Sequence, residues 1–176
     1  MYTYCLFCDT QRCGVIAHQL EELFPCQAIR PKREQLKWVK REAVREIHDL
    51  LPGYIFLYCE EEIVDFALLR QVRGIIRCLS DTEHHYVLQG SDEAFAKMLL
   101  AHGGVLGKIP VYQEGQTIRI INGVFGGVEA KILRVDRRQA RLEIALPFDK
   151  TEVKTWVEFE MVEEAEATEH QSESAS

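Results

Sequence analysis

The stretch Leu51-Pro52-Gly53-Tyr54-Ile55-Phe56-Leu57-Tyr58 decides the fold of the first half of the chain. Its Pro-Gly pair is a turn signal, and the aromatic and β-branched residues that follow are typical of a strand. Successive side chains of a strand point to opposite faces. The sequence therefore predicts a strand at 54–59 with an aromatic face, which includes Tyr54 and Phe56, and an aliphatic face.

The segments around this strand alternate between strand and helix patterns. Residues 2–8 are apolar like a buried strand, and the apolar residues of 13–24 recur at helical spacing. A further helical pattern at 91–102 ends at two glycines. The order β-α-β-β-α-β-α predicts an α+β domain at 1–102, a ferredoxin-like antiparallel sheet with helices on one face.

The segment between the first helix and the Pro-Gly turn is harder to assign. Basic and apolar residues alternate from 26 to 40, which predicts two extended segments joined by a turn near Glu34-Gln35. Residues 41–51 either continue the second strand or form a loop.

The second half of the chain has the pattern of a small β domain. Residues 103–112 contain three glycines and a proline, which predicts a linker. From 113 to 162, short β-rich segments are separated by turn residues, which predicts an SH3-like β-barrel. The remaining residues, 163–176, carry five acids and no base, and this composition predicts a disordered tail.

Composition excludes several classes of protein. The net charge of −7 argues against a uniformly basic nucleic-acid binder. The sequence contains no run of eighteen apolar residues, so it predicts no membrane span. The N-terminus lacks the pattern of a signal peptide, so we expect a cytoplasmic protein whose six cysteines are thiols.

Two patterns together resemble a known family. The Pro-Gly-Tyr strand of the first half and the glycine-punctuated stretch Ile118-Arg119-Ile120-Ile121-Asn122-Gly123-Val124-Phe125-Gly126-Gly127, followed by Val135-Asp136, are similar to those of NusG-type transcription elongation factors. The resemblance implies an NGN domain at 1–102 and a KOW domain at 113–162. It also implies a monomer that binds bacterial RNA polymerase.

The resemblance assigns a partner to the aromatic face. In this family the face receives the clamp helices of the largest polymerase subunit, which implies Tyr54 and Phe56 as contacts. Tyr4 and Leu6 of the first strand extend the same patch in this hypothesis. The alternative is that these aromatic residues belong to an ordinary core.

Several groups of basic residues are candidates for nucleic-acid binding. The run from 30 to 45 holds seven basic residues against two acids, with a tryptophan that can stack on a base. The alternative for this run is a solvated strand pair. Further groups lie near Gly74 and around a turn of the second domain, and their alternatives are a solvated helix end and a charged hairpin. The candidates are Arg30, Lys32, Arg33, Lys37, Trp38, Lys40, Arg41, Arg70, Arg73, Arg77, Arg134, Arg137, Arg138 and Arg141.

The glycine-rich turn of the second domain is another candidate site. Asn122 and Gly123 permit a turn with positive φ that presents Phe125 to a partner, although Phe125 can equally plug the barrel. For this domain the resemblance implies nascent RNA, non-template DNA or the ribosome as a partner.

The sequence contains none of the common catalytic or cofactor-binding motifs. Cys5 and Cys8, three apart on a strand, point to opposite faces and have no matching second pair, which disfavours zinc. We therefore expect neither an enzyme nor a bound metal or cofactor.

The sequence departs from housekeeping members of the family at its start and in its central strand. The chain opens with Tyr2-Thr3-Tyr4-Cys5 instead of Trp-Tyr, and Pro52-Gly53-Tyr54 continues as Ile-Phe-Leu instead of Val-Leu-Val. These features are more similar to the specialised LoaP antiterminators, which implies processive antitermination at particular operons. The alternatives are a housekeeping elongation and pausing factor, and a ribosome-associated or RNA-binding KOW protein without a polymerase role.

Overall fold

The structure is a computed structural model that describes residues 1–63, 66–80 and 85–163, so the predicted tail beyond Glu163 lies outside the described residues. The described residues form an α+β fold with strands β1 Tyr2–Cys8, β2 Cys26–Ile29, β3 Lys32–Val39, β4 Glu42–Asp49, β5 Tyr54–Cys59, β6 Ile75–Cys78, β7 Val105–Leu106, β8 Ile109–Glu114, β9 Thr117–Ile120, β10 Lys131–Asp136, β11 Arg141–Phe148 and β12 Thr151–Met161. The helices are α1 Cys13–Leu23, α2 Phe66–Gln71 and α3 Gly90–Ala101.

Four antiparallel strands in the order β2-β5-β1-β6 form what we call the N-terminal sheet. Helix α1 packs on its aliphatic face, where Ile16 shares a buried cluster with Ile55. Helix α3 covers the opposite face, where Phe95 and Met98 share a second cluster with Phe56. The prediction that the helices lie on one face is therefore wrong for α3, because its apolar stripe covers the aromatic side of the sheet.

Strands β3 and β4 form a hairpin that is longer than the extended segments predicted from the sequence. The turn lies at Lys40 and Arg41, whose φ angles are 49° and 73°, the geometry of a tight hairpin turn. The prediction of a turn near Glu34-Gln35 is wrong, because these residues pair with Ile47 and Glu46 inside the ladder. Residues 41–51, for which the sequence allowed either a strand or a loop, are thus mostly strand.

A second sheet, which we call the C-terminal sheet, has the strand order β10-β11-β12-β8-β9. Strands β12 and β8 are parallel, and the other neighbours are antiparallel. Its core comes from the alternating inward side chains of β11 and β12, such as Leu142, Ile144 and Val157.

The segment predicted to be a linker, 103–112, contributes strands to both halves. Strand β7 pairs with β3, and β8 begins at Ile109 within the C-terminal sheet. Leu106 and Ile109 are both buried. The predicted linker is therefore ordered, and these apolar side chains anchor it in the core.

Neighbouring glycines after α3 provide a test of this anchored segment. Gly103 and Gly104 both have positive φ, but a Cβ on Gly104 would lie 2.6 Å from Ile29 Cγ2, whereas one on Gly103 meets nothing within 4 Å. We expect Gly103→Ala to cost about 1 kcal/mol of unfolding free energy through backbone strain alone. Gly104→Ala adds overpacking and should cost about 3 kcal/mol. Urea unfolding of both variants measures the difference, and equal losses would contradict the close packing.

Candidate partner-binding surface

The aromatic face of β5 is the first candidate surface. Phe56 and Tyr58 belong to one buried cluster and Ile55 and Leu57 to the other, so the predicted alternation is confirmed. The Tyr58 hydroxyl donates a hydrogen bond of 2.7 Å to the carbonyl of Ala96 in α3. Tyr54 is half-buried, and its ring centroid lies 5.0 Å from that of Phe7.

The register of β1 against β5 corrects the predicted extent of this face. Leu6 lies opposite Ile55, and Tyr4 lies opposite Leu57. Because residues directly opposite each other in a sheet share a face, Tyr4 and Leu6 lie on the aliphatic side, and both are fully buried. The Tyr4 hydroxyl accepts a 2.9 Å hydrogen bond from the amide of Ile63. The prediction that these two residues extend the aromatic patch is therefore wrong.

Phe148, the last residue of β11, is inserted into the aromatic face. Its ring centroid lies 5.8 Å from that of Tyr54, 5.3 Å from that of Phe56 and 4.7 Å from that of Phe95. Phe148 is only 2% exposed. Each such aromatic pair contributes about 0.5–1.5 kcal/mol beyond area burial. These four residues, which we call the aromatic cluster, dock the C-terminal sheet on the N-terminal sheet.

The tip of the β11–β12 hairpin, here called the docking hairpin, is also held by polar contacts. Asp149 and Lys150 have φ angles of 49° and 60°, so they form a tight two-residue turn. The amide of Asp149 donates a 2.9 Å hydrogen bond to Asp92 Oδ1 at the start of α3. The Asp149 carboxylate lies 3.3 Å from Arg77 Nη2 of β6.

These polar contacts have an electrostatic cost. Burial raises the pKa of the Asp92 carboxyl, an effect that the hydrogen bond from the Asp149 amide opposes. The ion pair of Arg77 with Asp149 is partly exposed, and such pairs contribute at most about 1 kcal/mol. The aromatic cluster, and not the ion pair, therefore provides most of the docking energy.

Sequence reasoning missed the docking hairpin. The only local signal is an aromatic residue, Phe148, immediately before the Asp149-Lys150 turn. This pair lacks the glycine that usually marks a turn with positive φ. Moreover, the contact with Tyr54 joins residues more than 90 positions apart, so no local pattern indicates it.

This architecture was compared with known proteins. No family model matches the chain, and no curated protein matches it. Among solved structures, a structure of NusG from Thermotoga maritima that concerns domain interaction in that protein matches with a TM-score of 0.56. The sequences are 14% identical, and the match covers 89% of this chain and 93% of that chain. The fold is NusG-like. At this identity the likeness concerns the fold and not the function.

In this NusG-like fold the first basic run lies mainly on β3 and its turn. Trp38 is 70% exposed and stands on the surface of the hairpin. Three of the candidate side chains on the hairpin have local polar partners: Lys32 pairs with Asp49, Lys37 pairs with Glu46, and Arg33 donates to Gln35. The remaining candidates are exposed: Arg30 lies beside Gly14 of α1, and Lys40 and Arg41 occupy the turn.

The candidate arginines near Gly74 do not act as one group. Arg77 contacts the docking hairpin, and its guanidinium carbon lies 5.9 Å from the centre of the Phe7 ring. Arg73 is exposed, while the side chain of Arg70 lies outside the described residues. Among the described side chains of this group, Arg77 is the one with contacts, and its ion pair with Asp149 belongs to the docked interface.

The four candidate arginines of the C-terminal sheet point to different partners. Arg134 pairs with Glu143 at 3.2 Å, and Arg137 donates to Gln113 and to the carbonyl of Gln116. The guanidinium of Arg141 lies 5.8 Å from the centre of the Trp156 ring. Arg138 is exposed and has no polar partner within the described part of the chain. Arg138 is thus the member of this group most available to a ligand.

The glycine-rich turn does not present its aromatic residue. Phe125 is 4% exposed, and its ring stacks 6.3 Å from that of His102 at the end of α3. Asn122 and Gly123 are exposed, and Gly123 has a φ of 88°. The prediction of an exposed Phe125 is therefore wrong, and its alternative as a buried plug describes the structure.

The described residues show neither a metal site nor a membrane-spanning helix. Within the described ranges no group of three or more His, Cys, Asp or Glu side chains is arranged to hold a metal ion. None of the described helices has the length and apolar character needed to cross a bilayer.

Proposed function

We propose that the protein is a NusG-type transcription elongation regulator that acts by binding and not by catalysis. In this proposal residues 1–102 are an NGN domain and the β-barrel of 113–162 is a KOW domain. The aromatic face around Tyr54 and Phe56 binds the clamp helices of bacterial RNA polymerase in the cytoplasm. The bound factor promotes processive antitermination at particular operons, as the LoaP-like sequence features imply.

The observation that carries this proposal is the insertion of Phe148 between Tyr54, Phe56 and Phe95. A surface that accepts an aromatic side chain from a separate sheet has the shape and chemistry of a protein-binding site. Aromatic residues in such pockets are the usual energetic centres of interfaces. Tyr54 in addition carries a hydroxyl that suits a boundary between apolar core and solvent.

The same contact implies a conformational requirement. While the docking hairpin lies on the aromatic face, polymerase cannot reach Tyr54 and Phe56. Binding then requires the hairpin to leave, and polymerase favours the open form only by its higher affinity for that form. The apparent affinity is lowered by the fraction of molecules that are docked.

Tyr54→Ala tests the proposed interface with little effect on the core, because Tyr54 is half-buried. We expect it to weaken binding to bacterial elongating RNA polymerase by about 2 kcal/mol, or roughly 30-fold, as for a typical interface anchor. The change also removes a contact that holds Phe148, which by itself favours opening. Easier opening should strengthen binding, whereas loss of the Tyr54 contact should weaken it. A net loss of binding by Tyr54→Ala therefore supports the interface despite the easier opening.

The matched control is Tyr112→Ala, which removes a half-buried tyrosine from β8, outside the aromatic cluster. Co-purification of polymerase with wild type and both variants is the measurement. We expect the control to bind like the wild type. If the wild type fails to bind and instead associates with ribosomes or free RNA, the alternative of a KOW protein without a polymerase role replaces this proposal.

A further inference from the structure

A groove lies at the opposite end of strands β11 and β12 from the docking hairpin's tip. Its volume is about 550 Å³, within the usual range for ligand sites. One wall is β3 of the N-terminal half, and the other is the β10–β11 turn with β12. The walls are joined where the amide of Leu36 donates to the Glu158 carboxylate. The groove therefore brings together two basic regions that lie about 100 residues apart in the sequence.

The lining of the groove is predominantly basic. Four cationic side chains line it, against the single carboxylate of Glu158, which is already occupied by the Leu36 amide; the cations are Lys37, Lys108, Arg138 and Arg141. Lys37 and Lys108 also pair with exposed carboxylates of Glu46 and Glu160. Such exposed pairs contribute at most about 1 kcal/mol, so a phosphate group can replace them.

Arg141, which lines this groove, has an unused hydrogen-bond donor. Its Nε atom is buried and has no hydrogen-bond partner among the residues that the structure describes. The guanidinium is held against the ring of Trp156. A buried donor without a partner is costly, and in native structures it usually indicates a missing partner. A ligand oxygen reaches the buried Nε only if the Arg141 side chain shifts, and such a shift would satisfy the donor.

Trp38 supplies the remaining chemical feature. It lines the groove beside Lys37, yet 70% of its surface is exposed. An exposed indole next to cations is the arrangement with which proteins bind single-stranded nucleic acids, because bases stack on the ring and phosphates lie on the cations.

We propose that this groove binds single-stranded nucleic acid, with a base stacked on Trp38 and the backbone phosphates on Arg138, Lys37 and Lys108. Arg141 adds a further positive charge at the wall, and a shift of its side chain lets the buried Nε–H donate to a ligand oxygen. The proposal does not depend on polymerase binding. Because the walls come from both halves, the ligand favours the docked arrangement.

The test is fluorescence anisotropy with a labelled 12-nucleotide oligouridine and, in parallel, the corresponding oligodeoxythymidine. We expect the wild-type protein to bind at low salt, and Trp38→Ala to bind about tenfold more weakly, the effect of about 1.4 kcal/mol from one lost stacked base. Trp38→Phe should retain most of the affinity, since it keeps an aromatic face. If one of the two oligonucleotides binds more tightly, that preference identifies RNA or DNA as the ligand of the groove.

Charge removal is tested with a matched pair of variants. Arg138→Ala should weaken binding and reduce the slope of log affinity against log salt by about 0.7, the contribution of one single-strand phosphate contact. Lys154→Ala removes one positive charge from an exposed site outside the groove and should bind like the wild type. Equal losses in both variants would overturn the proposal in favour of diffuse attraction.

Three further outcomes would also overturn it. The first is that the wild-type protein binds neither oligonucleotide even after the salt is diluted 100-fold from about 0.15 M, where electrostatic attraction is least screened. Another is unchanged affinity in Trp38→Ala. The third is binding of an oligoglutamate peptide as tightly as the oligonucleotides, which would assign the groove to an acidic protein segment instead.

Discussion

Phe148→Ala should release the C-terminal sheet from the aromatic face. The variant removes the ring that contacts Tyr54, Phe56 and Phe95, and truncation of a buried phenylalanine costs about 3–5 kcal/mol. A loss of about 3 kcal/mol lowers the equilibrium constant for docking more than a hundredfold. The remaining contacts of the hairpin tip, with Asp92 and Arg77, are polar and partly exposed. They are too weak to replace the aromatic ring.

NMR relaxation measures this release, because docked sheets tumble as one body and released sheets tumble faster and independently. The control is Leu133→Ala, which removes an exposed leucine of β10 outside the aromatic cluster. We expect the control to tumble like the wild type. Unchanged tumbling of Phe148→Ala would show that other contacts hold the sheets together.

Phe56→Ala should be the most damaging change to stability on the aromatic face. Phe56 is fully buried, lies on the central strand β5, and contacts the rings of Phe95 and Phe148. We expect a loss of about 3–5 kcal/mol in the free energy of unfolding, from lost transfer energy and the remaining cavity. A loss of this size is a large part of the total stability of a small protein.

Tyr54→Ala provides the comparison in the same strand. Tyr54 points to the same face but is half-buried, so its truncation should cost clearly less than that of Phe56. Urea unfolding of both variants separates a core residue from a surface residue. Equal losses would contradict this distinction. The result also matters for binding assays, because a double variant of Tyr54 and Phe56 would confuse loss of folding with loss of contact.

The two sites place opposite demands on the conformation. Polymerase needs the docking hairpin to leave the aromatic face, whereas the basic groove exists only when β3 lies against β12. Ligands that prefer different conformations oppose each other through the shared equilibrium. Nucleic acid in the groove should therefore lower the apparent affinity for polymerase.

Local patterns were sufficient to predict β1, the two faces of β5 and the helices, but not the break between β2 and β3 at Arg30-Pro31. The alternation of residues 54–59 correctly separates the aromatic and aliphatic faces, and the apolar stripe of α3 is visible in the sequence. Each of these two patterns follows from one periodicity along the chain, that of a strand for residues 54–59 and that of a helix for α3. The turn at Lys40-Arg41 was missed because neither residue is among those that usually adopt positive φ.

Features that depend on distant contacts could not be predicted in this way. The placement of Tyr4 and Leu6 requires the register of β1 against β5, and a shift of one residue exchanges the two faces. Burial of the aromatic face requires Phe148, which reaches it from another sheet. The basic groove likewise forms only because β3 and β12 meet. The sequence shows its cations as separate groups.

The most direct test of the central claim is the affinity of Phe148→Ala for bacterial elongating RNA polymerase, measured beside the wild type. If the docking hairpin covers the polymerase-binding face, the variant should bind more tightly, because fewer molecules are docked. Tyr54→Ala in the Phe148→Ala background should remove the gain. Binding of Phe148→Ala that is equal to or weaker than that of the wild type would contradict the account.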